Sequence, residues 1–87
     1  MATLHLVNHP SALPSCLEAA RDGDTILLLE DGVYAAASGA PERPLHAIDI
    51  DVTARGLAER LHENVTLASY QEFVQLVENH QPIVSWR

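Results

Sequence analysis

The sequence predicts an α/β domain: a small, open, mostly parallel sheet of about five strands with helices on both faces. Three observations predict it. Short apolar runs alternate with segments of helical periodicity, the order of strand–crossover–strand units. The run Ile26-Leu27-Leu28-Leu29 is apolar without alternation, as in a strand covered on both faces of a parallel sheet. The chain has 87 residues, enough for one domain, 1–87, that buries roughly 60–68% of its unfolded surface. A partner covering an apolar face would add stability to so small a core.

Leu4 to Val7 reads as the first strand, broken by Asn8-His9-Pro10-Ser11. From Ala12 to Arg21, Leu13, Leu17 and Ala20 share one helical face. Ser11 or Ser15 is the expected cap, Pro14 belongs in the first turn, and Gly23 is the natural stop. Thr25 to Leu29 is the second strand, followed by the acidic loop Glu30-Asp31-Gly32 and a short helix over Val33 to Ser38. Gly39 to Pro44 is a loop by its turn residues. Leu45 to Ile48 is the third strand. A helix capped by Asp51 or Thr53 runs on through Leu57 and Leu61, weakened at Gly56. Val65 to Leu67 is the fourth strand. Ser69-Tyr70-Gln71-Glu72 is a capping box, and Phe73, Val74, Leu76 and Val77 follow at helical spacing up to Asn79. Ile83 to Trp86 is a terminal strand.

Composition excludes several functions. The net charge is −7, there is no lysine, and the five arginines (21, 43, 55, 60 and 87) are scattered. No basic stripe for direct nucleic-acid binding exists; an acidic surface suits solubility or a partner with a basic face. No run approaches the ~20 apolar residues of a membrane span. The N-terminus lacks a basic region and a long apolar core, so the expected compartment is the cytoplasm. The glycines at 23, 32, 39 and 56 form neither G-x-G-x-x-G nor a Walker pattern, so no nucleotide cofactor is expected. The histidines at 5, 9, 46, 62 and 80 show no metal-ligand spacing. No G-x-S-x-G elbow occurs. Cys16 is the single cysteine. It excludes an intramolecular disulfide and a C-x-x-C pair, leaving a small buried hydrophobe or a reactive thiol.

Taken together, Ile26-Leu27-Leu28-Leu29-Glu30-Asp31-Gly32-Val33, Ala54-Arg55-Gly56-Leu57, Ser69-Tyr70 with Phe73-Val74-Gln75-Leu76-Val77, and the terminal Ser85-Trp86 resemble the TusB/DsrH family. The resemblance runs from His5-Leu6-Val7-Asn8 to the last residues. It implies a DsrE-like α/β fold and a place in a heterohexamer with TusC/DsrF-like and TusD/DsrE-like subunits. Such a complex passes persulfide sulfur to a TusE/DsrC-like acceptor, for tRNA wobble-uridine thiolation in one branch and sulfur oxidation in the other. It also implies that the principal active cysteine sits on the TusD/DsrE-like subunit. Some DsrH-like members carry a cysteine in the first helix, where Cys16 falls. The Gly- and Pro-rich stretch between Ala37 and Leu45 departs from the commoner pattern.

Three places are candidate sites. Cys16 near a helix N-terminus would gain thiolate character from the backbone N–H groups and the macrodipole, as a persulfide site needs; otherwise it packs the core. Glu30 and Asp31 at a strand's carboxyl end offer an acid and a base, but adjacent residues diverge. Asp31 is therefore read as a helix cap and Gly32 as a tight-turn residue. Trp86 is either a latch on the domain or an interface anchor. The expected role is an accessory subunit whose main contribution is assembly, with Cys16 as a secondary catalytic thiol. The alternatives are a stand-alone thiol sulfurtransferase or redox sensor, and a purely structural binding module.

Overall fold

The computed structural model describes residues 2–38 and 43–87. Most of the expected Gly39–Pro44 loop lies outside the described residues, as does Met1. Among the described residues, five strands form one sheet: β1 (Leu4–Val7), β2 (Thr25–Leu28), β3 (Leu45–Ile48), β4 (Val65–Ala68) and β5 (Ile83–Trp86). The order is β4-β3-β2-β1-β5 and every pair is parallel. The α/β expectation is met in full.

Connectivity places the two layers. Strands β1 to β4 step in one direction. Their crossovers carry helix α1 (Leu13–Ala19), a 3₁₀ segment (Glu30–Ala36) and helix α2 (Asp49–Ala54). Val7, Ile26, Leu28, Leu45 and Ala47 alternate onto one sheet face, where they pack with Leu13, Cys16, Val33, Val52 and Leu57. The last crossover returns to the other side of β1 through helix α3 (Tyr70–Glu78). A constant crossover hand requires that reversed step to cover the opposite face. There Leu4, Leu27, Ile48 and Ala68 form a smaller cluster under Phe73 and Leu76.

The local differences from expectation have physical causes. The first helix is shorter, and the 3₁₀ turn Pro10–Ala12 precedes it. Neither Ser11 nor Ser15 caps it: α1 follows Ala12 without a side-chain cap, and the cap of the preceding turn is His9, whose Nδ1 accepts from Ser11 N–H at 3.2 Å. The second helix begins at Asp49, three to five residues before the start that a cap at Asp51 or Thr53 implies, and without a side-chain cap. It stops at Gly56, whose φ of +67° lies in the left-handed region open to glycine. Gly56 is thus a terminator and not a weak point inside a longer helix. The segment after β2 is 3₁₀ and starts at Glu30, not Val33. The capping box at Ser69 forms as expected: Ser69 Oγ accepts from Glu72 N–H at 3.1 Å, and Glu72 Oε1 accepts from Ser69 N–H at 3.0 Å.

Candidate functional site

Cys16 sits on the inward face of α1, 0% exposed, in the larger core cluster. Burial pushes its thiol from an ordinary 9.0 up to about 11; the nearby Arg43 charge opposes that rise and Asp24 adds to it. The direction is opposite to the one helix-terminus electrostatics predicts. Desolvation penalises the thiolate more than two turns of short helix favour it.

The loop after β2 does not assemble an acid–base pair. Asp31 Oδ1 accepts from Arg55 Nε and Nη2 at 3.1 and 3.0 Å, so Asp31 is bound across to the end of α2 instead of capping its own segment. Glu30 takes φ +51° and donates its N–H to Asp51 Oδ2 at 2.7 Å. The role expected of Gly32 also changes. Its φ is not left-handed; a Cβ there would overlap the Val7 carbonyl. Gly32 lets the 3₁₀ segment lie against β1. Glu30 lines a crevice of ≈ 150 Å³ with Leu6, Asn8, Leu29, Ser85 and Arg87. This crevice lies at the carboxyl ends of β1, β2 and β5, where strand order reverses, the usual place for binding in open α/β sheets.

Trp86 closes the other side of this edge as a latch. Its indole Nε1–H donates to His5 Nδ1 at 3.0 Å. His5, 4% exposed, donates from Nε2 to Asp24 Oδ2 at 2.9 Å. Asp24 also accepts from Arg21 N–H and Thr3 N–H, each at 3.0 Å. The Arg21 amide, then His5, then the Thr3 amide hold the Asp24 carboxyl well below the usual carboxylate range. Sequence reasoning tested His5 only for metal spacing and passed over Asp24. A signal was present: one histidine inside the apolar run Leu4-His5-Leu6-Val7 must find partners once buried.

The remaining feature is an apolar surface. No residue of α3 is buried. Phe73 and Leu76 face the sheet. Tyr70 and Val74, 54% and 51% exposed, line an outer stripe with Val77, and Ile83 is exposed on edge strand β5. Spacing i, i+4, i+7 puts Tyr70, Val74 and Val77 on one side of the helix. In sequence the signal was an apolar set too wide for one buried face. Among the described residues, no three His, Cys, Asp or Glu side chains converge as metal ligands, and no helix is long and apolar enough to cross a membrane.

Comparison with known proteins adds the family. A family profile described as "DsrH like protein" matches residues 8–83. Protein TusB of Sodalis glossinidius is 38% identical over 82 aligned positions, covering 85% of this chain and 86% of its own. Protein TusB of Pectobacterium carotovorum is 35% identical over 92 positions, covering 97% of each chain. Protein TusB of Serratia proteamaculans is 35% identical over 82 positions, covering 85% and 86%. With a parallel five-stranded sheet and a profile match from the end of β1 to the start of β5, the chain belongs to the DsrH family.

Proposed function

We propose that this chain is an assembly subunit of a sulfur-relay complex. The complex hands persulfide sulfur to a TusE/DsrC-like carrier, in the branch that thiolates a tRNA wobble uridine. The partners are a TusC/DsrF-like and a TusD/DsrE-like subunit in a heterohexamer. In this reading the chain touches neither nucleic acid nor membrane, and it works in the cytoplasm. The observation that carries the reading is the outer stripe of α3 on a chain of this family. A nine-residue helix without one buried residue is an unfinished layer, with Tyr70 and Val74 half exposed. Large apolar side chains grouped on one surface mark protein contacts. The TusB relatives favour the tRNA branch over sulfur oxidation.

Cys16 has a secondary place in this scheme. A persulfide donor can reach it only when α1 lifts from the sheet, because the thiol is fully buried. Its thiolate would then take the donor's outer sulfur while the donor's inner sulfur leaves as thiolate. That burial also argues against a stand-alone thiol enzyme, whose nucleophile needs access and a lowered pKa.

Co-expression with the two sister subunits, followed by native mass spectrometry, tests the assembly role. One complex containing all three chains is expected, and a Tyr70→Asp/Val74→Asp variant should drop out of it while staying folded by circular dichroism. Recovery of the sister subunits as a complete complex without this chain would overturn the proposal. Intact mass after incubation with a persulfide donor tests Cys16. A thiol-reversible gain of one sulfur, absent in Cys16→Ser, would make it a carrier. No gain while a sister subunit loads would leave the chain a scaffold.

A further inference from the structure

The hydrogen-bond chain through His5 leaves its proton only one place to be. The Trp86 indole N–H can only donate, so His5 Nδ1 carries a lone pair, and the ring proton sits on Nε2, facing Asp24. A second proton can enter only at Nδ1, the atom that holds Trp86. Imidazolium formation and the Trp86 bond are mutually exclusive. Water cannot substitute readily, because the ring is almost fully buried.

The groups around the ring set a balance. Asp24, in the turn before β2, presents a carboxylate to Nε2 and favours protonation. On the opposing side stand burial, the Trp86 donor from β5, and the Arg43 guanidinium, which donates to the carbonyls of Arg21 and Asp24 at 2.7 and 3.2 Å. From α1, the un-ionised Cys16 thiol shares the layer, and neighbouring Ile26 is apolar. His80 lies apart; its Nδ1 donates to Leu76 O and its Nε2 accepts from Thr25 Oγ1.

We infer that His5 is a proton-operated latch on the C-terminal strand: neutral, it holds Trp86, and protonated, it keeps Asp24 and releases the indole. The consequence falls on β5. Among the described residues this edge strand pairs only with β1, through bonds such as Leu4 N–H to Pro82 O and Asn8 N–H to Trp86 O. Trp86 is its last residue and the larger core's contact on that side. Releasing the indole loosens the strand end that carries Ser85 and Arg87, the wall of the crevice at the strand-order reversal. The latch follows from three side chains and stands whether or not the chain serves a sulfur relay.

Trp86 is the only tryptophan, so its indole N–H gives one resonance. The test is an NMR titration of the full-length protein across about pH 5–8, the window in which histidines change charge, following that resonance and the His5 ring protons. Both are expected to move with one midpoint, the indole leaving its bonded position. In Trp86→Phe the His5 midpoint should rise by about half to one pH unit, a three- to tenfold gain in proton affinity, because the bond that favours the neutral ring is gone. In His5→Gln the indole transition should vanish. An indole resonance that stays put while His5 titrates would overturn the latch, as would His5 remaining neutral throughout the window. The wild-type titration alone decides the matter if either variant fails to fold.

Discussion

At Cys16 the helix and the core make opposite demands on one sulfur, and the core wins. Two outcomes follow. Alkylation by iodoacetamide near neutral pH should run far below the rate of the denatured chain, because a thiol raised to about 11 is almost wholly protonated there and has no access. Stability should also fall as pH rises from about 9 to about 11. The folded thiol keeps its proton while the unfolded one, near 9.0, has lost it, so alkali favours unfolding. Chemical denaturation at stepped pH, with Cys16→Ala as control, measures this. Asp24 has the reverse sign. Its carboxyl is depressed by the Arg21 amide, His5 and the Thr3 amide, so its contribution is present above about pH 4 and fades as pH falls below. Gly32→Ala should cost about 2–3 kcal/mol or more in denaturant melts, since the new Cβ meets the Val7 carbonyl of β1 and not a flexible side chain. Asp31→Ala should cost less than about 1 kcal/mol, because the carboxylate is 61% exposed and its pairing with Arg55 is solvated.

Helix α3 shows how a short element is held when burial contributes little. Both capping-box bonds form at its N-terminus. At its other end His80 bridges the Leu76 carbonyl to the Thr25 hydroxyl of β2. Phe73 and Leu76 anchor its middle on the sheet. Ser69→Ala should therefore destabilise the protein by about 1 kcal/mol, and the effect should appear first as faster amide exchange in α3, read by hydrogen–deuterium exchange. The outer stripe behaves differently. Val74→Ser should change the stability of the isolated chain by no more than about 0.5 kcal/mol, as expected for an exposed site. Ile48→Ala, under the same helix but fully buried, should cost about 2–5 kcal/mol.

Across the whole molecule the two sheet faces are unequal. One is covered by α1, the 3₁₀ segment and α2 in a broad cluster. Among the described residues, the other has α3 alone over four buried residues. The inequality follows from strand order: three crossovers on one side of a five-stranded sheet leave one for the other. An added subunit on the α3 side would complete the second layer. The isolated chain should unfold in one cooperative transition, checked by coincident fluorescence and circular-dichroism melts, and that transition should move to higher temperature in the complex.

Strand positions, the α/β class, the capping box and the family were legible from sequence because they depend on local periodicity, on Gly and Pro, and on residue order. The unbroken apolar run at Ile26-Leu27-Leu28-Leu29 announced a two-sided strand before any neighbour was known. What nearby residues could not disclose was long-range placement. Asp31 reads as a cap until Arg55, 24 positions away, takes its carboxylate. Gly32 reads as a turn until β1 passes beneath it. Cys16 reads as either a packed thiol or an activated one until the sheet is seen to exclude water from it. His5 and Trp86 stand 81 residues apart, and only parallel pairing of β1 with β5 brings them within 3.0 Å. The sequence by itself determined the elements and their order, since each rests on interactions within a few residues. Tertiary structure alone decided the protonation and accessibility of the titratable groups, because both depend on which distant segment removes the solvent.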